Sequence, residues 1–496
     1  MGLIRKVVFG TTYLFLFSLI AAGLGYLVRI LIARNLTTAE YGLFYAVFSL
    51  FTFFTIFGHL GMTEAVQKLI PEYIVQKEFG KIKGIITITL GIQLAIFGMV
   101  SIAAIVFARQ LAVSYFHSMS AVTPIILLAV MFWLRQIVAL LSAVFIGFQQ
   151  LKYFAFIDSL KMFFVLVLLG ISSNLLGKSI LVPSIAYLGA FILLPFVLIP
   201  CFFRVFPSFF STKMHLSKEL LRRIFLFGIP MMVSMAGGNI LVYTDTLMLT
   251  YFRTLEEVGL YQAAYPTANL LLYLPGAITA IILPLSSELW ELKEKVKLQV
   301  GAELLYKYTL LIMVFLAMVT AAFARPILSF IFGGAYLGAS VPLIILSLGA
   351  ILFAIATINI TMLSGIGKPK VIAKIVLLAA GVNVFANFFV VPAYGMVGAA
   401  FTTVLGYIII LGFTLLKIKE YIGAKIPLLL LVKYTIVGVL FFSFLLFLGG
   451  VFPIHGIVSL AVIAILGLLL YIPLLFLFRI MTRKDILFLK EAIARK

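Results

Sequence analysis

Apolar stretches of about twenty residues recur along almost the whole chain, and nothing else in the sequence restricts the fold as much. Each is long enough to cross a hydrocarbon core of about 30 Å as a helix. Strands of a membrane barrel would alternate apolar and polar residues over about ten positions, and these stretches do not. Of the 496 residues, 64% are hydrophobic and 11% charged, far from the roughly 25% charge of soluble domains. The sequence therefore predicts an all-α polytopic membrane protein of about fourteen spans. Their centres fall near residues 20, 54, 96, 133, 164, 192, 238, 269, 313, 351, 381, 406, 438 and 467. The basic opening "MGLIRKVVFG" runs on through Arg29 without a small-residue cleavage site, so it reads as a first span rather than a leader.

The formal net charge of +21 raises the question of nucleic acid. Where the charges lie answers it. With the N-terminus inside, 29 of the 37 Lys and Arg residues fall in cytoplasmic segments, including Lys68–Lys83, Arg204–Arg223, Lys293–Lys307 and a tail from Arg479 to Lys496. The opposite orientation inverts that ratio, so both termini are expected in the cytoplasm and no nucleic-acid partner is implied. The loops between spans are too short to hold an active site, and no Walker A sequence, HExxH or nucleophile elbow occurs. The single cysteine, Cys201, rules out an internal disulfide, and no Cys/His cluster has metal spacing. Neither an enzyme nor a metal or other cofactor is expected.

Self-comparison shows an internal repeat. "TTAEYGLFYA" (37–46) resembles "TLEEVGLYQA" (254–263), and "TPIILLAV" (123–130) resembles "VPLIILSL" (341–348). "FAR" at 107–109 returns at 323–325, and "FIGFQQLKYFA" (145–155) parallels "LSGIGKPKVIA" (363–373). The offset stays at 216–218 throughout. The repeat unit holds six spans, an even number, so its two copies enter the membrane in the same direction. The expected organisation is a lobe over 1–205, a second over 206–420, and two further spans with a tail over 421–496.

Charges within the spans need a partner or a wet cavity, because each costs at least about 2.5–3.5 kcal/mol at the bilayer centre. Ser18, Ala22, Gly25 and Arg29 share one face of the first span, which leaves room beside the arginine. The chain has only three aspartates, Asp158, Asp245 and Asp485. The repeat offset puts Asp245 nearly opposite Arg29, so the two are candidate partners across a cavity or in a static ion pair. Arg135 is the deepest cation in the fourth span. Asp158 and Lys161 are three apart and are expected to pair, as are Glu64 and Lys68, four apart. His59 is a candidate titrating residue, with a packing role the alternative. Gln262, Tyr265, Asn269 and Tyr273, at i, i+3, i+7 and i+11, read as a polar-aromatic stripe that suits sugar hydroxyls or an interhelical seam. Asn383 and Asn387 read as interhelical glue.

The segments "GYLVRILIARNLTTAEYGLFYAVFS" and "VYTDTLMLTYFRTLEEVGLYQAAYP" resemble the polysaccharide-biosynthesis (O-antigen type) flippases. That family shares a superfamily with multidrug exporters and lipid II flippases. The resemblance implies a membrane flippase that carries a lipid-linked oligosaccharide on a polyprenyl-phosphate-type carrier to the outer leaflet by alternating access. It also implies the cell membrane as location, membrane lipids as surroundings, glycan polymerase or transferase machinery as partner, and a monomer. Arg29 would contact the carrier's phosphate, helped by Arg34 and Arg135. Asp245, His59, Asp158 and Lys161 would serve cavity or coupling roles, with Gln262, Tyr265, Asn269 and Tyr273 on the glycan. Ile30 stands where lipid II flippases tend to place an acid, and the first span lacks the aspartate frequent in drug exporters. The alternative is a cation-coupled multidrug exporter using Asp245.

Overall fold

The computed structural model describes residues 2–424, 428–452, 454, 456–482 and 485. The described residues form helices and turns with no strand. Thirteen helical stretches are long and apolar enough to cross a membrane. Most of the tail predicted as a basic cytoplasmic segment, residues 486–496, lies outside the described residues.

The chain divides into two compact units, Met1–Gly259 and Leu260–Lys496. The first unit holds α1 (Gly2–Asn35), α2 (Thr38–Gly58), α3 (Met62–Val75), α4 (Phe79–Val106), the short α5 (Ala108–Ser114), α6 (Val122–Gly147), α7 (Leu151–Leu176), α8 (Leu181–Val205), α9 (Lys218–Phe252) and the first turn of α10 (Leu255–Asn269). In it α1 packs on α7, α7 on α8, and α6 on α4 and α8. The sequence repeat draws its first boundary near residue 205, but α9 packs on α2 and α3 and so falls in the first compact unit.

The second unit continues with α11 (Tyr273–Glu291), α12 (Lys295–Ala322), the short α13 (Ala324–Ile331), α14 (Ser340–Gly365), α15 (Pro369–Ile422), α16 (Leu428–Val451) and α17 (Ile457–Leu477). The 54-residue α15 covers the two centres expected near 381 and 406. Its helical run is interrupted at Gly395, whose φ of 54° and ψ of −137° are open to glycine at no steric cost. Pro392, three residues earlier, has no N–H to donate and loosens the same turn. Asn387 accepts from Thr402 across this break and donates to Asn383 at 3.2 Å within its own half, so this pair ties the two halves of α15 through Asn387. A second buried chain crosses three helices. Tyr306 on α12 donates to Asn359 on α14 at 2.5 Å, and Asn359 donates to Thr414 on α15 at 3.2 Å. The final pair of helices is tied to α12 by tyrosines: Tyr434 donates to the Lys307 carbonyl and Tyr471 to that of Leu311, both at 2.7 Å.

Candidate functional site

The first unit gathers charge in its helical interior. Arg29, two turns from the end of α1, lies with its guanidinium carbon 4.1 Å from the centroid of the Tyr45 ring on α2. It is hydrogen-bonded to the Tyr41 hydroxyl, and Tyr187 of α8 lies within electrostatic reach. Tyr41 and Tyr45 are four apart on α2, so their rings share a face and pack with centroids 4.8 Å apart. An arginine over a desolvated aromatic face gains on the order of 2 kcal/mol, enough to offset much of its burial. Sequence reasoning found Arg29 and missed these three tyrosines. The i, i+4 spacing in "EYGLFYA" was the available signal, and it looks the same as ordinary core packing.

The small-residue face of α1 serves packing as well as space. Gly25 faces Met162 of α7, whose sulfur would lie 3.6 Å from an added Cβ, and Ser159 of α7 donates to the Phe17 carbonyl at 2.7 Å. The room expected beside Arg29 is therefore filled at the level of Gly25 by a methionine, the side chain best able to fit an irregular gap. Arg34, in the last turn of α1, is exposed.

Arg135 sits mid-way along α6, 5.3 Å over the Phe132 ring, with Tyr243 of α9 and Asp158 of α7 within electrostatic reach. Tyr243 senses Arg29 as well, so one phenol from α9 borders both cations. Asp158 and Lys161 form the expected ion pair at 2.5 Å. His59, capping α2, shares a 3.3 Å hydrogen bond with Gln93 of α4 and packs on Phe97 with ring centroids 5.7 Å apart. Arg135 is within electrostatic reach of that imidazole too. Asp245 is fully buried in α9 between Thr244 and Thr246, which are also buried. Glu64 and Lys68 do not pair. Glu64 accepts from Thr63 at 2.9 Å, and the Lys68 ammonium lies 4.4 Å from the Phe227 ring centroid. Aromatic surface on α9 drew the lysine away from its own helix.

In the second unit the polar-aromatic stripe is interrupted. Helix α10 ends at Asn269, a 3₁₀ turn spans Leu270–Leu272, and Tyr273 starts α11. A 3₁₀ turn advances about 120° per residue against about 100° in an α-helix, which turns Tyr273 roughly 60° off the line. Gln262 is buried, Tyr265 and Asn269 are half-buried, and Tyr273 is exposed. Tyr265 stacks on Tyr261 at 5.8 Å. Among the described residues no group of three or more His, Cys, Asp or Glu could hold a metal ion.

Thirteen apolar helical stretches among the described residues, with an arginine–tyrosine cluster buried in the first unit, define a polytopic membrane protein. The family model described as "Polysaccharide biosynthesis protein" matches residues 7–290, and the chain belongs to that family. An uncharacterized membrane protein of Methanocaldococcus jannaschii is 32% identical over 420 residues, 82% of each chain. The probable low-salt glycan biosynthesis flippase Agl15 of Haloferax volcanii is 22% identical over 94% of this chain and 95% of its own. Among solved structures, the inward closed conformation of the lipid II flippase MurJ superposes with a TM-score of 0.75 at 17% identity, covering 94% of this chain and 99% of that one. An inward-facing multidrug resistance transporter of the MATE family follows at 0.67 and 15% identity, covering 80% and 94%. These structural likenesses concern the fold.

Proposed function

We infer that this chain is a flippase that moves a lipid-linked oligosaccharide across the membrane for surface glycan assembly. The observation that carries the reading is the arginine pair of the first unit, Arg29 in its tyrosine cage and Arg135 nearby, both bordering Tyr243. Family membership and the flippase named among its relatives support it. Each sugar hydroxyl costs about 4–8 kcal/mol to move from water into an alkane-like medium, so unassisted flipping is prohibitive. Arginine suits the phosphate because its fork binds two oxygens and stays charged.

Arg29 and Arg135 hold the carrier's phosphate, with Arg34 on the approach. Asp245 takes up the arginines' charge when the site is empty, since a fully buried carboxylate requires a cation. His59, Asp158 and Lys161 set the field around Arg135. Gln262, Tyr265 and Asn269 are the candidate glycan contacts. With the basic face cytoplasmic, both termini lie in the cytoplasm of a cell-membrane protein that works as a monomer beside glycan polymerases or transferases. The internal repeat supports two six-span lobes, 1–205 and 206–420, that expose the site alternately. A head group of charge −2 leaving an inside-negative membrane of 100 mV gains about 4.6 kcal/mol, which favours export without an ion gradient.

Purified protein in liposomes with a fluorescent lipid-linked oligosaccharide provides the test. A membrane-impermeant quencher should find the lipid crossing leaflets faster than in protein-free liposomes, with no gradient applied. Crossing at the protein-free rate, together with dye efflux driven by protons or sodium and lost in Asp245→Asn, would place the protein among the drug exporters instead.

A further inference from the structure

At two places in the first unit a glycine meets a glycine, backbone against backbone with no side chain between. At one, α2 meets the first turn of α10. A Cβ on Gly42 would lie 2.0 Å from the Leu255 carbonyl oxygen, and one on Gly259 would lie 2.1 Å from that of Thr38. The contact is reciprocal, since each glycine receives the carbonyl four residues before the other. Gly42 and Gly259 are 217 residues apart, the offset of the internal repeat. Their helices start alike. Thr37 and Glu40 form a capping box, and the Glu257 N–H donates to Thr254 at 3.3 Å, in equivalent positions.

At the other place, the turn between α2 and α3 rests on α9. A Cβ on Gly61 would meet the Gly228 carbonyl oxygen at 1.9 Å, and one on Gly228 would meet that of Leu60 at 2.5 Å. Gly42 lies in the second turn of α2 and Gly61 in the turn just past its end. The helix between, Gly42 to Gly58, spans about 24 Å at 1.5 Å per residue, most of the thickness of the hydrocarbon core. The sequence from Tyr45 to His59 that borders the arginine cluster runs between them.

We propose that these two glycine seams are the gates of the transport site, Gly42/Gly259 on the outer side and Gly61/Gly228 on the cytoplasmic side, with the basic face taken as cytoplasmic. Such contacts rest on dispersion and Cα–H···O interactions, each weak. On the cytoplasmic side they are joined by a half-exposed ion pair, Arg223 of α9 with Glu72 of α3 at 3.3 Å, and by the Arg223 bond to the Tyr73 hydroxyl at 2.9 Å, which part with that seam. The same closeness leaves no room for a methyl group. An alanine at one seam keeps that gate from shutting and shifts the resting population toward opening on that side alone.

The test needs no glycolipid, so its failure is separable from failure of the substrate assignment. In a Cys201→Ser background, Ser49→Cys on α2 lies between the seams and is buried. Gly42→Ala and Gly259→Ala should each raise its labelling by an impermeant maleimide from the outer side by about ten-fold, and Gly228→Ala should lower it while raising labelling from the cytoplasmic side. Labelling that is unchanged, or that moves in the same direction for both seams, overturns the proposal. If the alanine variants do not fold, a cleavable bis-maleimide between Ala39→Cys and Glu256→Cys, two exposed positions beside the outer seam, replaces them. The linked protein should hold Ser49→Cys closed to outer reagent until the linker is cut. Outer labelling at the unlinked rate would equally overturn it.

Discussion

The two units spend their buried polar groups differently. In the second unit the fully buried polar side chains among the described residues are all uncharged, and the asparagines satisfy neighbouring hydroxyls and amides, as in Tyr306–Asn359–Thr414 and Asn383–Asn387–Thr402. In the first unit a carboxylate, Asp245, is fully buried, and Arg29 near the end of α1 and Arg135 midway along α6 each lie against an aromatic ring. Closed amide–hydroxyl chains hold helices together, each bond contributing typically about 0.6 kcal/mol in membranes. A charge near the bilayer centre instead costs at least about 2.5–3.5 kcal/mol and needs a partner or a wet cavity. The proposed function accordingly assigns the reading of substrate charge to the first unit and a packing role to the second unit's polar chains.

The sharpest way to break this contrast is Arg29→Ala. Losing a bidentate, charge-assisted contact of about 2–3 kcal/mol should slow translocation about 30- to 150-fold in the liposome assay, with Arg29→Lys intermediate. A rate within two-fold of wild type would remove the first unit's special status. Asn359→Ala makes the complementary case. It strands the Tyr306 hydroxyl, while Thr414 keeps its bond to the Leu411 carbonyl, and should cost about 1–2 kcal/mol in detergent unfolding, yet leave the substrate concentration for half-maximal rate unchanged. Tyr45→Ala should weaken apparent affinity about five-fold through a loosened Arg29, and Tyr45→Phe should recover most of it because the ring face remains. A Phe variant as weak as the Ala variant would assign the role to the hydroxyl.

The smallest effect belongs to the tail. Asp485 accepts from Lys307 at 2.5 Å and from Thr482, and also from Tyr308 at 3.2 Å. Burial pushes its carboxyl up, but the bonds from Lys307 and Thr482 outweigh that and hold it at about 2. Its folded value lies below the unfolded one of about 3.9, so its stabilisation is present above about pH 4 and fades as pH falls toward 2. Asp485→Asn should lower stability at pH 7 by about 1 kcal/mol without changing translocation. An unchanged melting temperature would show that the link does not secure the tail.

Spans and the Asp158–Lys161 pair were legible because length, hydropathy and i, i+3 spacing are local properties. The break in α15 was legible as two span centres, although helical bonding runs through it on either side of Gly395. Contacts made across helices were not. The Lys68 ammonium found Phe227 rather than Glu64, and Met162 filled the face beside Gly25. The stripe through Tyr273 failed because three leucines tightened into a 3₁₀ turn that periodicity does not reveal. Tyr41, Tyr45, Tyr187 and Tyr243 stayed hidden because an aromatic on an apolar helix looks the same in sequence whether it packs a core or carries an arginine.

The most direct measurement compares two fluorescent glycolipids that carry the same glycan, one on a phosphate-linked carrier and one on a neutral lipid, in liposomes with wild-type protein or Arg29→Ala. The wild type should flip the phosphate-linked lipid about ten-fold or more faster than the neutral one, and Arg29→Ala should bring the two rates together. Equal rates in the wild type, or a preference that survives in Arg29→Ala, would contradict a phosphate-reading arginine in the first unit.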